Sequence, residues 1–516
     1  MTTIAHAPHS NDGPPPGMPP PVPFGPRLAT GLAGVLLAAM MSGLNNRVGA
    51  LALIDVQGAL GLDADAAHHV GTAYAAAELA AMPIAAWFAV TFSFRRFHMG
   101  IVGLFALLGV LMPLAPDYHW LLAMRAVQGL AGGAMIPLLM SAALRFLPQP
   151  IKLHGLGLYS LTATLAPNLG LWLAAAWVDR LGDWRMAYWQ VVPIAMFAFW
   201  AVWWGIPQDP VRTERLRQID LPGLLTGPLG LALIAIGLEE GERLDWFHSA
   251  EIAWCLLGGS ALMVAFLISE WFHHLPFVKL QLLERRNFWL GFTIFVGMLV
   301  VFLSGSVLPA NLLVEVHGFR PLQIAPIGLI VALPQLVLAP LISALLYRKW
   351  VDARRMMALG LLLVAASCWL GAGVTSRWMV AEFWLAQACQ MLGQPMAIIS
   401  LLFLATGVAA PMEGPFVSGM VNTLRTLALI VGAVGLEHGL IARGAAHMRG
   451  MVDRAGRLGE VPATMPHLIH RFEPQAATLS IADAYRVLGA AALVLAALTF
   501  FLQYLPPPIV ARPAKD

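Results

Sequence analysis

The chain has 516 residues, of which 59% are hydrophobic and only 11% charged, and its mean hydropathy is +0.73. Soluble globular proteins carry roughly 25% charged residues, so this composition excludes a soluble multidomain enzyme and describes a chain that crosses a bilayer many times. The net charge of +3, from 31 basic and 28 acidic residues, is too small for a nucleic-acid binder, and the three cysteines lie in apolar runs with no disulfide framework.

In chain order, residues 1–27 form a proline-rich segment with eight prolines between Pro14 and Pro26 and one basic residue, Arg27. It reads as a disordered cytoplasmic tail and not as a signal peptide, because no charged region opens it. Fourteen apolar stretches long enough to span follow, at about 28–54, 69–92, 99–116, 119–146, 154–177, 187–206, 221–239, 250–270, 288–312, 323–347, 356–375, 380–405, 416–440 and 482–505. A long polar segment, 441–481, precedes the last span and reads as an external loop. Residues 506–516 form a short tail.

An even number of spans puts both termini on one side, and Lys and Arg decide which. With the N-terminus inside, the inner segments hold 17 basic residues and the outer ones 11, five of them in the 441–481 segment; Arg47, Arg125 and Arg425 lie within spans. Short loops therefore favour both termini inside.

A weak internal repeat is also present. Arg125–Leu130 aligns with Gln387–Leu392, and Thr164-Leu165-Ala166 with Gly170 aligns with Thr426-Leu427-Ala428 with Gly432, both at an offset of 262. Such halves are usual in transporters. The expected organisation is a six-helix domain over 28–207, a connector with two extra spans over 208–270, a cytoplasmic linker over 271–287 and a second six-helix domain over 288–505.

Charges inside a bilayer are costly and normally face a cavity or a partner. Span 1 carries Asn45, Asn46 and Arg47, span 2 carries Glu78, and span 4 carries Arg125. Counted inward from the outer ends, the two arginines lie ~10 Å deep and Glu78 ~13 Å deep, so the three can meet at one level. One reading makes Glu78 a proton site held by arginines in a cleft; the other makes Arg47–Glu78 a static ion pair that fixes packing.

Gln387, Gln390 and Gln394 share one face of span 12. With Gln128, Asn168, Asn311, Gln335 and Asn422 they suit the wall of a cavity for bulky amphipathic molecules, while the same residue types also bridge packed helices. His68-His69, His273-His274 and the pair His467 and His470 lack the company a metal site needs, and no phosphate-binding glycine loop implies ATP hydrolysis. No cofactor is expected.

Several motifs together carry a family resemblance. They are Leu121 and Arg125 with Gln128-Gly129 in span 4, Thr164-Leu165-Ala166-Pro167 to Gly170 in span 5, Trp184-Arg185-Met186 through Val192-Pro193, Ile219-Asp220-Leu221-Pro222-Gly223 to Glu240-Gly241, and Asn422 with Arg425-Thr426-Leu427. From about residue 30 to 505 the chain resembles the major facilitator superfamily, specifically its fourteen-span drug:proton antiporters of the Emr type. The resemblance implies an all-α integral membrane protein with a major facilitator fold of 14 transmembrane helices, two six-helix domains plus two inserted helices. It implies export of drugs or secondary metabolites against protons, with a periplasmic membrane-fusion adaptor and an outer-membrane channel as partners. Gly129, Pro167, Gly170, Arg95 and Arg96 become conformational-motif positions, and Arg425 joins the cavity candidates. Rival readings are a uniporter, an importer and a transport-inactive sensor or scaffold. The chain departs from the family pattern in three places. Span 1 has Leu44-Asn45 where an acid is usual. The turn Val90–Arg96 keeps only a basic pair of its motif, and Gly170-Leu171 replaces Gly-Pro.

Overall fold

Backbone N–H and C=O groups in hydrocarbon find no water, so this composition can cross a membrane only as helices that satisfy those groups internally. The computed structural model describes residues 24–51, 57–58, 61–181, 183, 185–409, 413–457 and 465–507. The proline-rich tail, apart from its last four residues, and most of the 506–516 tail lie outside the described residues.

Fourteen long helical segments follow the fourteen apolar stretches: α1 (Pro26–Leu51), α2 (Ala64–Phe92), α3 (Phe94–Leu111), α4 (Tyr118–Phe146), α5 (Lys152–Leu181), α6 (Val191–Gly205), α7 (Leu221–Glu239), α8 (Ala250–Phe272), α9 (Arg286–His317), α10 (Leu322–Leu346), α11 (Ala353–Gly371), α12 (Trp384–Thr406), α13 (Gly414–Arg457) and α14 (Met465–Leu498). Among the described residues, twelve are long and apolar enough to cross a membrane; the remaining two are the 30-residue α5 and the shorter apolar α6. Aspartates start several of them. Asp63 accepts from Ala66 N at 2.7 Å, Asp117 from Trp120 N at 3.0 Å and Asp220 from Gly223 N at 2.9 Å, each satisfying an N–H that the first helical turn leaves open.

Glycine sets the closest helix approaches. In α4, Gly129 and Gly133 lie four apart against the Tyr74 and Glu78 backbone of α2, with Gly132 facing the Tyr74 hydroxyl, so that α2 and α4 pack backbone to backbone. In the second half Gly360 of α11 meets Gly393 of α12, where a Cβ on Gly360 would lie 2.7 Å from Ala397 N. The repeat appears in the element order as well: α5 starts at Lys152 and α13 at Gly414, 262 residues apart.

The bundle has a Glu240 end, where α7 gives way to α8, and an opposite Glu413 end, where α13 begins. The halves meet from the Glu413 end past the middle. Leu153 N donates to Tyr347 Oη at 3.0 Å, the Ser418 hydroxyl donates to Pro137 O, and Gly419 packs on the carbonyl of Pro83. The inserted α7 and α8 pack on each other, and α7 lies against both α2 and α13, where Leu231 and Ala235 join Ala76, Leu79 and Ile430 in one buried cluster.

The expected loop over 441–481 needs correction. Helix α13 continues to Arg457 and α14 starts at Met465, so the described parts of this segment are helical. Its arginines end the apolar run but are good helix formers, as are the interspersed alanines and methionines, so the helix persists after the hydropathy has fallen. The 44 residues of α13 span ~66 Å, about twice the hydrocarbon thickness. Arg443, His447 and Arg486 converge on Asp483 and join the two helices where they leave the apolar zone.

The α2–α4 contact tolerates no side chain. Gly133→Val is expected to destabilise the protein by ~3 kcal/mol, the upper end for overpacking, whereas Gly435→Val, whose Cβ meets open space, should cost less than ~1 kcal/mol. Unfolding of the two variants in detergent, followed by tryptophan fluorescence, compares them; equal stability would show that the helices readily move apart.

Candidate functional site

Helix α2 supplies the central group. Glu78 is 4% exposed, its carbonyl is pressed against Gly133 of α4, and its Oε1 accepts from Ser42 Oγ of α1 at 3.5 Å. Tyr74, one turn earlier on the same face, holds its hydroxyl 3.4 Å from Ser42 Oγ.

On one side stands Arg125 of α4, 1% exposed. Its guanidinium lies 4.4 Å from the centre of the Tyr74 ring and 5.9 Å from that of Tyr188, and Nη1 donates to Gln128 Oε1 at 3.0 Å. Asn45 of α1 donates to the same oxygen at 3.1 Å, and Gln128 Nε2 donates to Phe105 O at 3.4 Å. A desolvated cation over a ring is stabilised by ~2 kcal/mol, which helps offset burial of this charge. Arg125 Nε and Asn45 Oδ1 have no hydrogen-bond partner among the described residues, so polar capacity remains in this cluster.

On the other side stands Arg425 of α13, 6% exposed. It donates from Nη1 to Thr162 Oγ1 at 2.8 Å and from Nη2 to Thr162 O at 3.3 Å, both on α5. One turn away Tyr159 Oη donates to Asn422 Oδ1 at 2.7 Å. Both pairs join residues 263 apart, so the repeat-related helices α5 and α13 meet at equivalent levels. Arg425 also shares a level with Glu78. Gly419 touches Pro83 where antiparallel α2 and α13 cross, and from there Arg425 lies six residues and Glu78 five residues toward the Glu240 end, ~9 and ~7.5 Å. Both Arg425 and Arg125 act electrostatically on the Glu78 carboxylate.

The structure groups Glu78, Arg125, Asn45 and Gln128; the depth count concerns Arg47, Arg125 and Glu78, and the sequence reading makes Gln128 a cavity residue. The side chains of Arg47 and Asn46 lie outside the described residues, and so does that of Pro167. Arg425, read from sequence as a cavity residue, stands with the charged group. The span 12 glutamines are buried, and each donates a hydrogen bond within the protein. Gln387 Nε2 donates to Gly305 O at 2.8 Å, Gln390 Nε2 to Ser304 Oγ at 2.9 Å and Gln394 Nε2 to Gln390 Oε1 at 3.1 Å. Gln387 and Gln390 thereby tie α12 to the 3-10 turn at Leu303–Gly305 that interrupts the α-helical geometry of α9, and Gln394 supports Gln390 from within α12. Gln335 Nε2 likewise donates to Met391 O at 3.2 Å, and Asn168 Nδ2 to Thr164 O at 2.7 Å beside Gly328 of α10. Asn311 is half-buried, Gly170 is buried in α5, Gly129 serves the α2–α4 contact, and Arg95 lies over Trp203 with Arg96 beside it at the start of α3. Ser42, Tyr74, Tyr159, Thr162 and Tyr188 were not foreseen. Tyr74 stands at i−4 from Glu78, and the 262 offset relates the Arg425 region to the Thr162 region, so both signals were present.

A sequence model of the Major Facilitator Superfamily matches residues 35–433. Among curated proteins, the chain is 25% identical over 498 residues to the probable multidrug resistance protein EmrY of Escherichia coli K12, covering 92% of this chain and 95% of that one. It is 26% identical to the multidrug export protein EmrB of the same strain, over 64% of each, and 25% identical to the fatty acid resistance protein FarB of Neisseria gonorrhoeae, over 78% of each. Among solved structures, the human organic anion transporter MFSD10 superposes with a TM-score of 0.57 at 14% identity, covering 92% of this chain and all of that one. An auto-inhibited POT family peptide transporter gives 0.55 at 16%, covering 95% and 99%. These two show the fold. With fourteen helical segments among the described residues, a repeat that brings α5 against α13, and a family match across most of its length, the chain belongs to the Major Facilitator Superfamily of membrane transporters.

Proposed function

We propose that this transporter exports amphipathic organic compounds, drugs or secondary metabolites, across the bacterial inner membrane in exchange for protons. The observation that carries the reading is a buried carboxylate, Glu78, level with the Arg425 and Arg125 guanidinium groups at the seam between the halves. The names of the Emr and Far relatives support the cargo class. The excess of Lys and Arg in the short loops supports both termini inside, which makes the Glu413 end cytoplasmic.

In this reading residues 28–207 and 288–505 are two six-helix bodies that rock about the seam, with 208–270 an insertion and 271–287 a linker. An ionised Glu78 neutralises part of the arginine charge and favours the packed seam. Protonation removes that compensation and leaves the guanidinium groups facing one another's field in low dielectric, which favours an open, hydrated arrangement. Since a carrier open to one side exposes Glu78 to that side only, proton uptake and release occur on opposite faces. The helical extensions of α13 and α14 offer a place for a periplasmic adaptor leading to an outer-membrane channel.

Everted vesicles carrying the transporter, given an acidic lumen and supplied with ethidium in the outside medium, test the coupling by ethidium uptake. Glu78→Gln should lower gradient-driven flux by about tenfold or more while the protein stays folded in size-exclusion chromatography. Undiminished flux would remove Glu78 from the mechanism, and equal flux with and without the gradient in wild type would point to a uniporter.

The seam contact has its own test. A double-mutant cycle of Arg425→Ala with Thr162→Val should return a coupling energy of ~1.5–3 kcal/mol, the range for a hydrogen bond to a charged group. Additive effects on unfolding would mean that Arg425 and Thr162 do not act together.

A further inference from the structure

The two inserted helices are attached to both halves at the Glu240 end, and the attachments differ in kind. On the N-terminal half, α7 packs along α2, and Glu240, 3% exposed, is held from several directions. Thr72 Oγ1 of α2 donates to its Oε1 at 2.7 Å, and Arg243 Nε donates to Oε2 at 2.8 Å. Arg243 in turn reaches Asp65 at 3.2 Å and the ring of His69 at 3.0 Å, while His68 Nε2 lies 3.3 Å from Glu239 O. Burial works against the Glu240 charge, but the Thr72 and Arg243 hydrogen bonds outweigh it and hold the carboxyl below the usual carboxylate range.

On the C-terminal half the polar tie is a smaller, more exposed group. Glu242 Oε2 accepts from Trp246 Nε1 at 2.9 Å and pairs with His438 Nδ1 of α13 at 2.8 Å; His438 is 56% exposed. The Trp246 and His438 rings meet edge to face at 5.8 Å. Asp245 and Trp246 both adopt positive φ, 57° and 51°, a conformation unfavourable for residues with side chains and here occupied in the turn that delivers Trp246 to its two partners. Beneath, Leu231 and Ala235 of α7 fill the groove between Ala76 and Leu79 of α2 and Ile430 of α13.

We propose that the α7–α8 hairpin is a clasp across the two halves at the Glu240 end, fixed to the N-terminal half through Glu240 and Arg243 and released from the C-terminal half at the Glu242–Trp246–His438 catch. This rests on the reading that the halves rock apart, and it gives the insertion a role in that motion, since opening of the Glu240 end waits on release of the catch. The buried, multiply bonded side stays attached, and the solvated side parts, because water readily replaces the partners of exposed groups.

Spin-label distance measurements without any substrate test the clasp. The background is the full chain with Cys255→Ala, Cys368→Ala and Cys389→Ala, labelled after Trp120→Cys and Met379→Cys, two exposed positions at the Glu240 end of opposite halves. Adding His438→Ala should raise the long-distance fraction by about threefold or more. His438→Gln, which keeps an N–H donor for Glu242, should stay near the background distribution, and Asp65→Asn, on the fixed side, should leave it unchanged. Two populations that His438→Ala does not alter would overturn the clasp alone. A single fixed distance in the background and in every variant would overturn both the clasp and the rocking reading.

Discussion

A carboxylate buried at the centre of a membrane bundle dictates what surrounds it. Glu78 of α2 cannot keep a charge in such a place without cations and donors close by, and three other helices supply them: Ser42 of α1, Arg125 of α4 and Arg425 of α13. The arginines raise the same problem in turn, answered by Gln128 and the Tyr74 ring for Arg125 and by Thr162 for Arg425. Thr162 brings α5 into the group, whereas Gln128 and Tyr74 stand on α4 and α2 themselves. The close α2–α4 contact at Gly133 and the α5–α13 contact at the seam follow from bringing these groups within reach of one another.

The chain lacks the span 1 acid that its resemblance leads one to expect, and Asn45 at that position hydrogen-bonds Gln128 and takes no charge. The acid at this depth is instead on α2, where it faces α13 across the seam. Arg425 of the other half binds Thr162 of α5 and lies near enough to act on the Glu78 carboxylate. In the proposed mechanism this makes one proton sufficient to alter the contact between the halves.

Polar residues in the apolar spans divide into two kinds that look alike in one dimension. Gln387, Gln390 and Gln394 form a regular face, and the first two of them bond the Gly305 carbonyl and the Ser304 hydroxyl where a 3-10 turn interrupts α9. Asn422 and Arg425, also spaced i, i+3, stand at the seam. The distinction rests on what the opposite helix offers, an interrupted backbone in one case and a complementary side chain in the other.

Composition and hydropathy determined the membrane setting and the order of fourteen helices, because solvation of the backbone in a bilayer leaves few alternatives to a ~20-residue helix. Depth counting placed Glu78 and Arg125 at one level, since helix rise is fixed. Sequence periodicity could not reveal that Arg425 joins them, that the glutamines brace α9, or that α7 lies across both halves, because these depend on which faces meet. It also ended α13 too early: hydropathy reports where a helix leaves lipid, whereas the hydrogen bonding of α13 continues beyond that point. Only tertiary packing decided those pairings, by bringing together groups 263 residues apart whose desolvation is tolerable only in one another's company.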